Sequence, residues 1–169
     1  MMEGEFLIIP VLRDITLIHE PDSIDDFIIG AEADITHKDS KGADCFYFRI
    51  MSPKGLCRVL SSENILSGRA VFVVNEANME KNLQLVKDKI TGFLLSCARD
   101  TWEEVALAIN CYLEWEYYDP ECGICAFYLD TQKKIEEGIY TPSSLGIEDI
   151  CTIVNTEETN ALATKLPNV

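Results

Sequence analysis

The feature that most narrows the folds open to this chain is a pair of two-residue alternations separated by a polar turn. Residues 27–36 put Phe27, Ile29, Ala31, Ala33 and Ile35 on one side, with Glu32 and Asp34 on the other. This is the period of a half-buried strand and not of a helix. Residues 37–42 are polar and end in Gly42. Residues 44–51 then alternate again, with Cys45, Tyr47 and Arg49 opposite Phe46, Phe48 and Ile50. Two such runs joined by a short turn predict an antiparallel hairpin. A lone hairpin is marginal in water, so its apolar face needs a covering layer from the rest of the chain.

Residues 6–19 read as a further strand, with Leu7, Ile9, Val11, Ile15 and Leu17 at period-two positions and Pro10 marking an edge strand or a bulge. Pro21-Asp22-Ser23 is a turn. Ser52-Pro53 fits an N-cap followed by proline at the first helical position, predicting a short helix over 54–60 that ends near Ser61-Ser62. The continuous apolar run at 70–74 suggests a central strand. Asn78 caps a longer helix with Met79, Leu83, Val86, Ile90, Phe93, Leu94 and Cys97 on one stripe. Gly92 weakens its last turn by about 1 kcal/mol. Asp100 is placed as the cap of the next helix with Glu103 as its reciprocal partner, and Trp102, Val105, Ala106, Ile109 and Leu113 as its apolar stripe. Residues 115–118 are aromatic and extended until Asp119-Pro120.

Beyond residue 120 the pattern is broken by Gly138, Pro142 and Gly146. A strand over 124–129, a helical turn over 132–137 and a polar helix over 155–166 are the expectations there. The order β-β-β-α-β-α-α-β plus a tail predicts an α+β fold, with a mainly antiparallel sheet packed by two or three helices and a C-terminal extension. Residues 1–119 form the expected domain, and residues 120–169 an extension packed on it.

Charge excludes whole classes of partner. Lys and Arg number 14 against 29 Asp and Glu, a net charge of −15. Such a chain repels nucleic acid and anionic lipid, so neither nucleic acid nor membrane is an expected partner. The apolar runs at 6–12 and 70–74 are far shorter than the ~20 residues of a membrane helix. Glu3 and Glu5 stand where a signal peptide needs bases, so the expected location is cytoplasmic. The asymmetry sits in two stretches without Lys or Arg. Residues 14–37 carry Asp14, Glu20, Asp22, Asp25, Asp26, Glu32 and Asp34. Residues 100–132 carry Asp100, Glu103, Glu104, Glu114, Glu116, Asp119, Glu121 and Asp130. A charge-using partner must be cationic: a basic protein or a metal ion.

Little points to catalysis. The seven cysteines fit small buried hydrophobes in a reduced compartment, and only Cys122-Gly123-Ile124-Cys125 has redox or metal spacing. A zinc site needs a second such pair, which the chain lacks, and nearby carboxylates raise thiol pKa. His19 and His37 lack ligand spacing, and neither a phosphate loop nor a G-x-S-x-G elbow occurs. No catalytic residue, metal ligand or cofactor is expected. Aromatics interleaved with acids do stand out: Trp102-Glu103-Glu104, then Trp115-Glu116-Tyr117-Tyr118-Asp119. Aromatic rings give contact area at small entropic cost, and carboxylates accept from Lys and Arg, a combination suited to a basic protein surface. The plainer alternative makes both Trp residues core anchors and leaves the acids facing water.

Three separated motifs resemble the immunity protein 8 family of bacterial polymorphic toxin and contact-dependent growth-inhibition systems. They are the aromatic strand running into Ser52-Pro53 and a short helix, the Asp100-Thr101-Trp102-Glu103-Glu104 helix, and Trp115-Glu116-Tyr117-Tyr118. The resemblance spans about residues 5–119. Gly55 stands where the family usually has Trp, and the chain from Cys122 onward lies beyond the motif. The resemblance implies a bacterial antidote, not an enzyme, that binds the C-terminal domain of a cognate toxin and occludes its active site. It further implies a basic toxin domain, a nuclease by preference. Joined with the charge reading, it makes Glu103, Glu104, Glu114, Glu116, Tyr117, Tyr118 and Asp119 the expected toxin-binding residues, with Asp22, Asp25 and Asp26 as a further cluster. A thiol-dependent or metal-binding protein built on Cys122 and Cys125, and an acidic adaptor for another partner, are the alternatives.

Overall fold

The structure, a computed structural model, describes residues 6–139. The hairpin is formed by β2 (Ile28–His37) and β3 (Asp44–Met51), antiparallel from Ile28 opposite Met51 to Ile35 opposite Asp44. Phe27, Ile29, Ala31, Ala33, Ile35, Phe46, Phe48 and Ile50 are each at most 4% exposed, so one whole face of the pair lies in the core.

Strand β1 (Pro10–Leu17) pairs antiparallel with β2 at the edge of the sheet, with Pro10 as its first residue, where a missing N–H is tolerated. Its expected phase holds only in part. Ile15 points into the core, but Leu7, Ile9 and Val11 are exposed. The register shifts between Leu12 and Asp14, and the extra residue there inverts the alternation: Pro10 and Leu12 point inward before it, Ile15 and Leu17 after it.

Ser52 caps α1 (Pro53–Glu63), its Oγ accepting from Gly55 N at 3.1 Å. The same Oγ accepts from Phe27 N at 3.0 Å, tying the helix start to β2. The helix runs past Ser61 and Ser62, whose hydroxyls donate back to carbonyls four residues earlier without breaking the spiral, and it ends at Asn64 in the left-handed region. Strand β4 (Val71–Val73) follows, parallel to β3, and it is an outer strand rather than the expected central one. Buried Ala70 and Val74 at its ends gave it the look of a central run, while Val73 is 47% exposed. The first half of β3 on that side is taken by β5 (Glu114–Trp115), antiparallel.

Helix α2 (Met79–Leu94) is capped by Asn78 and packs along β1, burying Val86, Ile90 and Leu94, before tightening into a 3-10 turn at Leu95–Cys97. The cap of α3 (Trp102–Asn110) lies one residue later than expected. Thr101 Oγ1 accepts from Glu104 N and Glu104 Oε2 from Thr101 N, because Thr101 and not Asp100 is the last extended residue before the helix. Val105, Ala106, Ile109 and Leu113 are fully buried. Arg69 then staples the helix end, donating Nε to Asn110 O and Nη2 to Asn110 Oδ1 and Leu113 O. The element order through β5 is the expected one, and the fold is α+β.

A second compact unit begins at Asp119. Strands β6 (Tyr118–Asp119) and β7 (Gly123–Ile124) pair with each other, and α4 (Ala126–Glu136) follows. The expected strand over 124–129 is therefore helical from Ala126, and the turn at 132–137 is its continuation. A short apolar run does not reveal its period, whereas the Asp130–Lys134 and Lys133–Glu137 ion pairs show helical spacing. The expected helix over 155–166 lies outside the described residues.

Two glycines in helices give opposite expectations. A Cβ on Gly55 would stand 2.2 Å from the Phe27 carbonyl oxygen, whereas one on Gly92 would meet nothing within 4 Å. Gly55→Ala should cost about 2 kcal/mol or more by forcing α1 off β2, and Gly92→Ala should add about 0.5–1 kcal/mol. Urea midpoints of the two variants check both signs.

Candidate functional site

The two tryptophans picked out by the sequence converge on one atom. Trp102 Nε1 donates to Asp44 Oδ2 at 2.8 Å, and Trp115 Nε1 donates to the same oxygen at 2.9 Å. Trp115 is 2% exposed and stacks on Phe46, with ring centroids 6.4 Å apart, while Trp102 is half-buried beside His37. Burial pushes the Asp44 carboxyl up, and the two indole hydrogen bonds hold it down in part. Asp44 was not singled out by sequence reasoning, because one acid among 29 carries no mark of its partners.

Strand register decides where the remaining acids go. Residues paired across a sheet share a face. Opposite the core face, one row runs Asp14, Asp34, Cys45, with Glu116 N donating to Cys45 O at 3.1 Å to continue it. The next row runs Thr16, Glu32, Tyr47, Glu114. Five carboxylates drawn from both base-free stretches thus lie on this face of the first unit. Asp14 and Glu114 are exposed, and Glu32, Asp34 and Glu116 are half-buried. Glu32 and Asp34 on one side and Glu114 and Glu116 on the other bracket Cys45 and Tyr47.

Side-chain chemistry registers this crowding. Burial first, then the charges of Glu116 and Glu32, push the Cys45 thiol far up, so it is inert as a nucleophile. Burial, the neighbouring Cys45, Glu116 and Glu32 push the Tyr47 phenol up as well. The Asp34 carboxyl is raised by burial and by Asp14, against the pull of Arg13.

The expected binding residues are only partly gathered. Glu114 and Glu116 sit together, and Glu116 Oε1 also accepts from Cys45 N at 2.6 Å, extending the ladder of β3. Tyr117 packs its ring edge on Trp115 at 5.9 Å, and Tyr118 is half-buried in β6. The Glu104 carboxylate closes the α3 capping box, with half-buried Glu103 beside it in the same turn. Asp119 Oδ1 accepts from Glu121 N and Cys122 N in a tight turn. Asp22, Asp25 and Asp26 are exposed in the loop before β2, where Asp26 pairs with Arg58 at 2.9 Å. That loop adjoins the Ile28 end of β2, six residues or roughly 20 Å of strand from Asp34. Sequence reasoning did not name Asp14, Glu32 and Asp34 as site residues, although the alternation of residues 27–36 already assigned Glu32 and Asp34 to the face away from the core.

Cys122 and Cys125 are exposed free thiols on either side of β7, with Cys125 at the start of α4. Among the described residues no group of three or more His, Cys, Asp or Glu is placed to hold a metal ion. Among the same residues no helix is long and apolar enough to cross a membrane.

The model of a protein family described as immunity protein 8 matches residues 12–119, nearly two thirds of the chain. No curated protein and no solved structure matches it.

The shared acceptor on Asp44 sets a stability test. Asp44→Ala strands two indole N–H groups and should cost about 2–4 kcal/mol, whereas Asp44→Asn keeps an acceptor oxygen and should cost less. The folded carboxyl ionises above its ordinary 3.8, so on rising through that window the unfolded chain releases its proton first. Stability from this group is then lost as pH rises. Urea midpoints from pH 4 to 7 should show the wild type losing ground to Asp44→Asn as pH rises.

Proposed function

The chain belongs to the immunity protein 8 family, and from that premise we propose that it binds and neutralises the C-terminal domain of a cognate bacterial toxin, encoded beside it, without catalysing a reaction. The toxin domain on this reading is basic, and a nuclease is the preferred candidate, because a site built for a polyanionic substrate also attracts clustered carboxylates. The contact surface is the outer face of the sheet, where Asp14, Glu32, Asp34, Glu114 and Glu116 lie in two adjacent rows. The observation that supports it is this gathering by strand register of acids far apart in the chain.

The electrostatics favour recognition by steering. A net charge of −15, with five carboxylates gathered on one face, raises the encounter rate with a basic partner and makes it fall with salt. Tyr47, set between the acidic pairs, offers a rigid ring whose face and hydroxyl can meet a guanidinium. The Asp22, Asp25 and Asp26 loop is a second acidic contact at the far end of β2. Tyr117, Tyr118, Glu103, Glu104 and Asp119 complete the residues assigned to binding, with Glu104 and Asp119 acting through the backbone turns they hold. The antidote works in the cytoplasm, where it blocks the toxin's active site by occupying it.

Co-expression of this chain with the adjoining toxin domain should rescue growth, and the purified pair should form a salt-sensitive complex. Glu32→Lys and Glu114→Lys should each slow association about threefold to tenfold at low salt and flatten its salt dependence. Glu63→Lys on α1 should change it by less than twofold. A soluble, folded chain that neither rescues growth nor binds the domain rules the reading out.

A further inference from the structure

Arg49 has the wrong sign for a simple polyanion surface and, unlike Arg13, whose charge already acts on Asp34 at the β1 edge, it stands in a row without acids. Arg49 lies two residues along β3 from Tyr47, so its row follows the Glu32–Glu114 row at about 7 Å. That row runs Gly30, Arg49, Val71, and contains no acid. Gly30 has no side chain of its own, and Ile18 fills the space above it, its Cδ1 lying 2.7 Å from where a Cβ would stand. The arginine stem therefore rises from a low apolar platform between Ile18 and Val71. Arg49 is exposed, and among the described residues its guanidinium makes no hydrogen bond or ion pair. Glu32 stands diagonally across on β2, within reach of a long side chain, yet the two are not paired.

A surface selected only to imitate a phosphate backbone gains nothing from a cation among its carboxylates, since that cation opposes each base it meets. Arg49 makes sense if the partner's charge pattern changes sign at the same place. We propose that Arg49 is a specificity-determining residue of the toxin-binding face, pairing with a carboxylate of the toxin domain about 7 Å beyond the bases that meet Glu32, Asp34 and Glu114. The inference rests on the toxin-binding reading above and sharpens it. Acids steer the partner in, and the opposite charge of Arg49, one row beyond them, fixes which way round it docks along the strands. A toxin domain carrying a base at that point is rejected by like-charge contact, which separates the cognate toxin from other basic domains.

Two substitutions with the same change in net charge give opposite expectations. Arg49→Glu and Lys54→Glu each add two negative charges, and both side chains are exposed. Binding to the adjoining toxin domain is measured by surface-immobilised kinetics, with melting curves confirming that each variant folds. If Arg49 docks on a carboxylate, Arg49→Glu raises Kd at least tenfold, chiefly through faster dissociation, and Arg49→Gln raises it about threefold. Lys54→Glu leaves Kd within twofold or lowers it. An Arg49→Glu variant that binds as tightly as wild type, or more tightly, overturns the inference, and weakening by Glu32→Gln and Glu114→Gln in the same assay shows that the toxin-binding reading survives it. A wild-type chain that forms no complex removes both.

Discussion

A single carboxylate oxygen, Asp44 Oδ2, joins the first residue of β3, the first turn of α3 and strand β5 by accepting from two indoles at once. The consequence reaches beyond the core. Trp115 and Glu114 are neighbours on a two-residue strand, so burying one side chain directs the other to the opposite face. A slip of one residue would bring Glu114 into the place of Trp115 and expose the indole, losing both the stacking on Phe46 and the hydrogen bond. The fully buried tryptophan thus fixes where the acids of the second base-free stretch lie. Glu116 completes the lock by using its own carboxylate as the next rung of the β3 ladder.

The hairpin was legible because its two sequence periods are unambiguous and both strands bury one face almost completely. Ser52, Asn78 and the apolar stripe of α2 were legible for the same reason: each is a local pattern with a local cause. What stayed hidden has non-local causes. The inverted phase at the start of β1 depends on a register shift against β2, which nothing in residues 6–19 announces. The outer position of β4 follows from no described strand pairing with its far side, while β5, from forty residues later, takes the other half of the same edge of β3. At the site, Glu114 and Glu116 could be picked out by their aromatic neighbours, whereas Asp14, Glu32 and Asp34 become their neighbours only through pairing. The Trp motifs were noticed for the right reason, as large side chains beside acids, but the acid that matters to them is Asp44, 58 residues before Trp102 and 71 before Trp115.

Holding five carboxylates on adjacent rungs is unfavourable in the free protein. Asp34 shows it directly, its ionisation opposed by burial and by Asp14 across the strand pair. Bases relieve the strain only in part: Arg13 pulls the Asp34 carboxyl back down, and Lys87 approaches Asp14 at 3.8 Å between exposed side chains, a weak contact. Arg49, diagonal to Glu32 across the strand pair, stays out of the cluster. A sheet that needed only solubility would mix its signs more evenly across neighbouring rungs. Holding Arg49 a row away from the acids creates a directional charge pattern, an arrangement that makes sense where the missing charges arrive with a partner.

The architecture also separates what must stay from what is free to change. In this family member the motif tryptophans are occupied inside the fold, holding α3 and β5 to the head of β3. Side chains on the outer face of β2 and β3 project away from that joint, and the two-residue period lets them vary without disturbing the side chains one residue away that fill the core. Replacing Glu32, Tyr47 or Arg49 alters the pattern shown to a partner while Ala31, Ala33, Phe46 and Phe48 keep their packing. On the proposed reading, an antidote that matches one toxin and rejects its relatives needs this kind of independence, and a half-buried sheet supplies it more cleanly than a helix surface, where neighbouring positions grade continuously from buried to exposed.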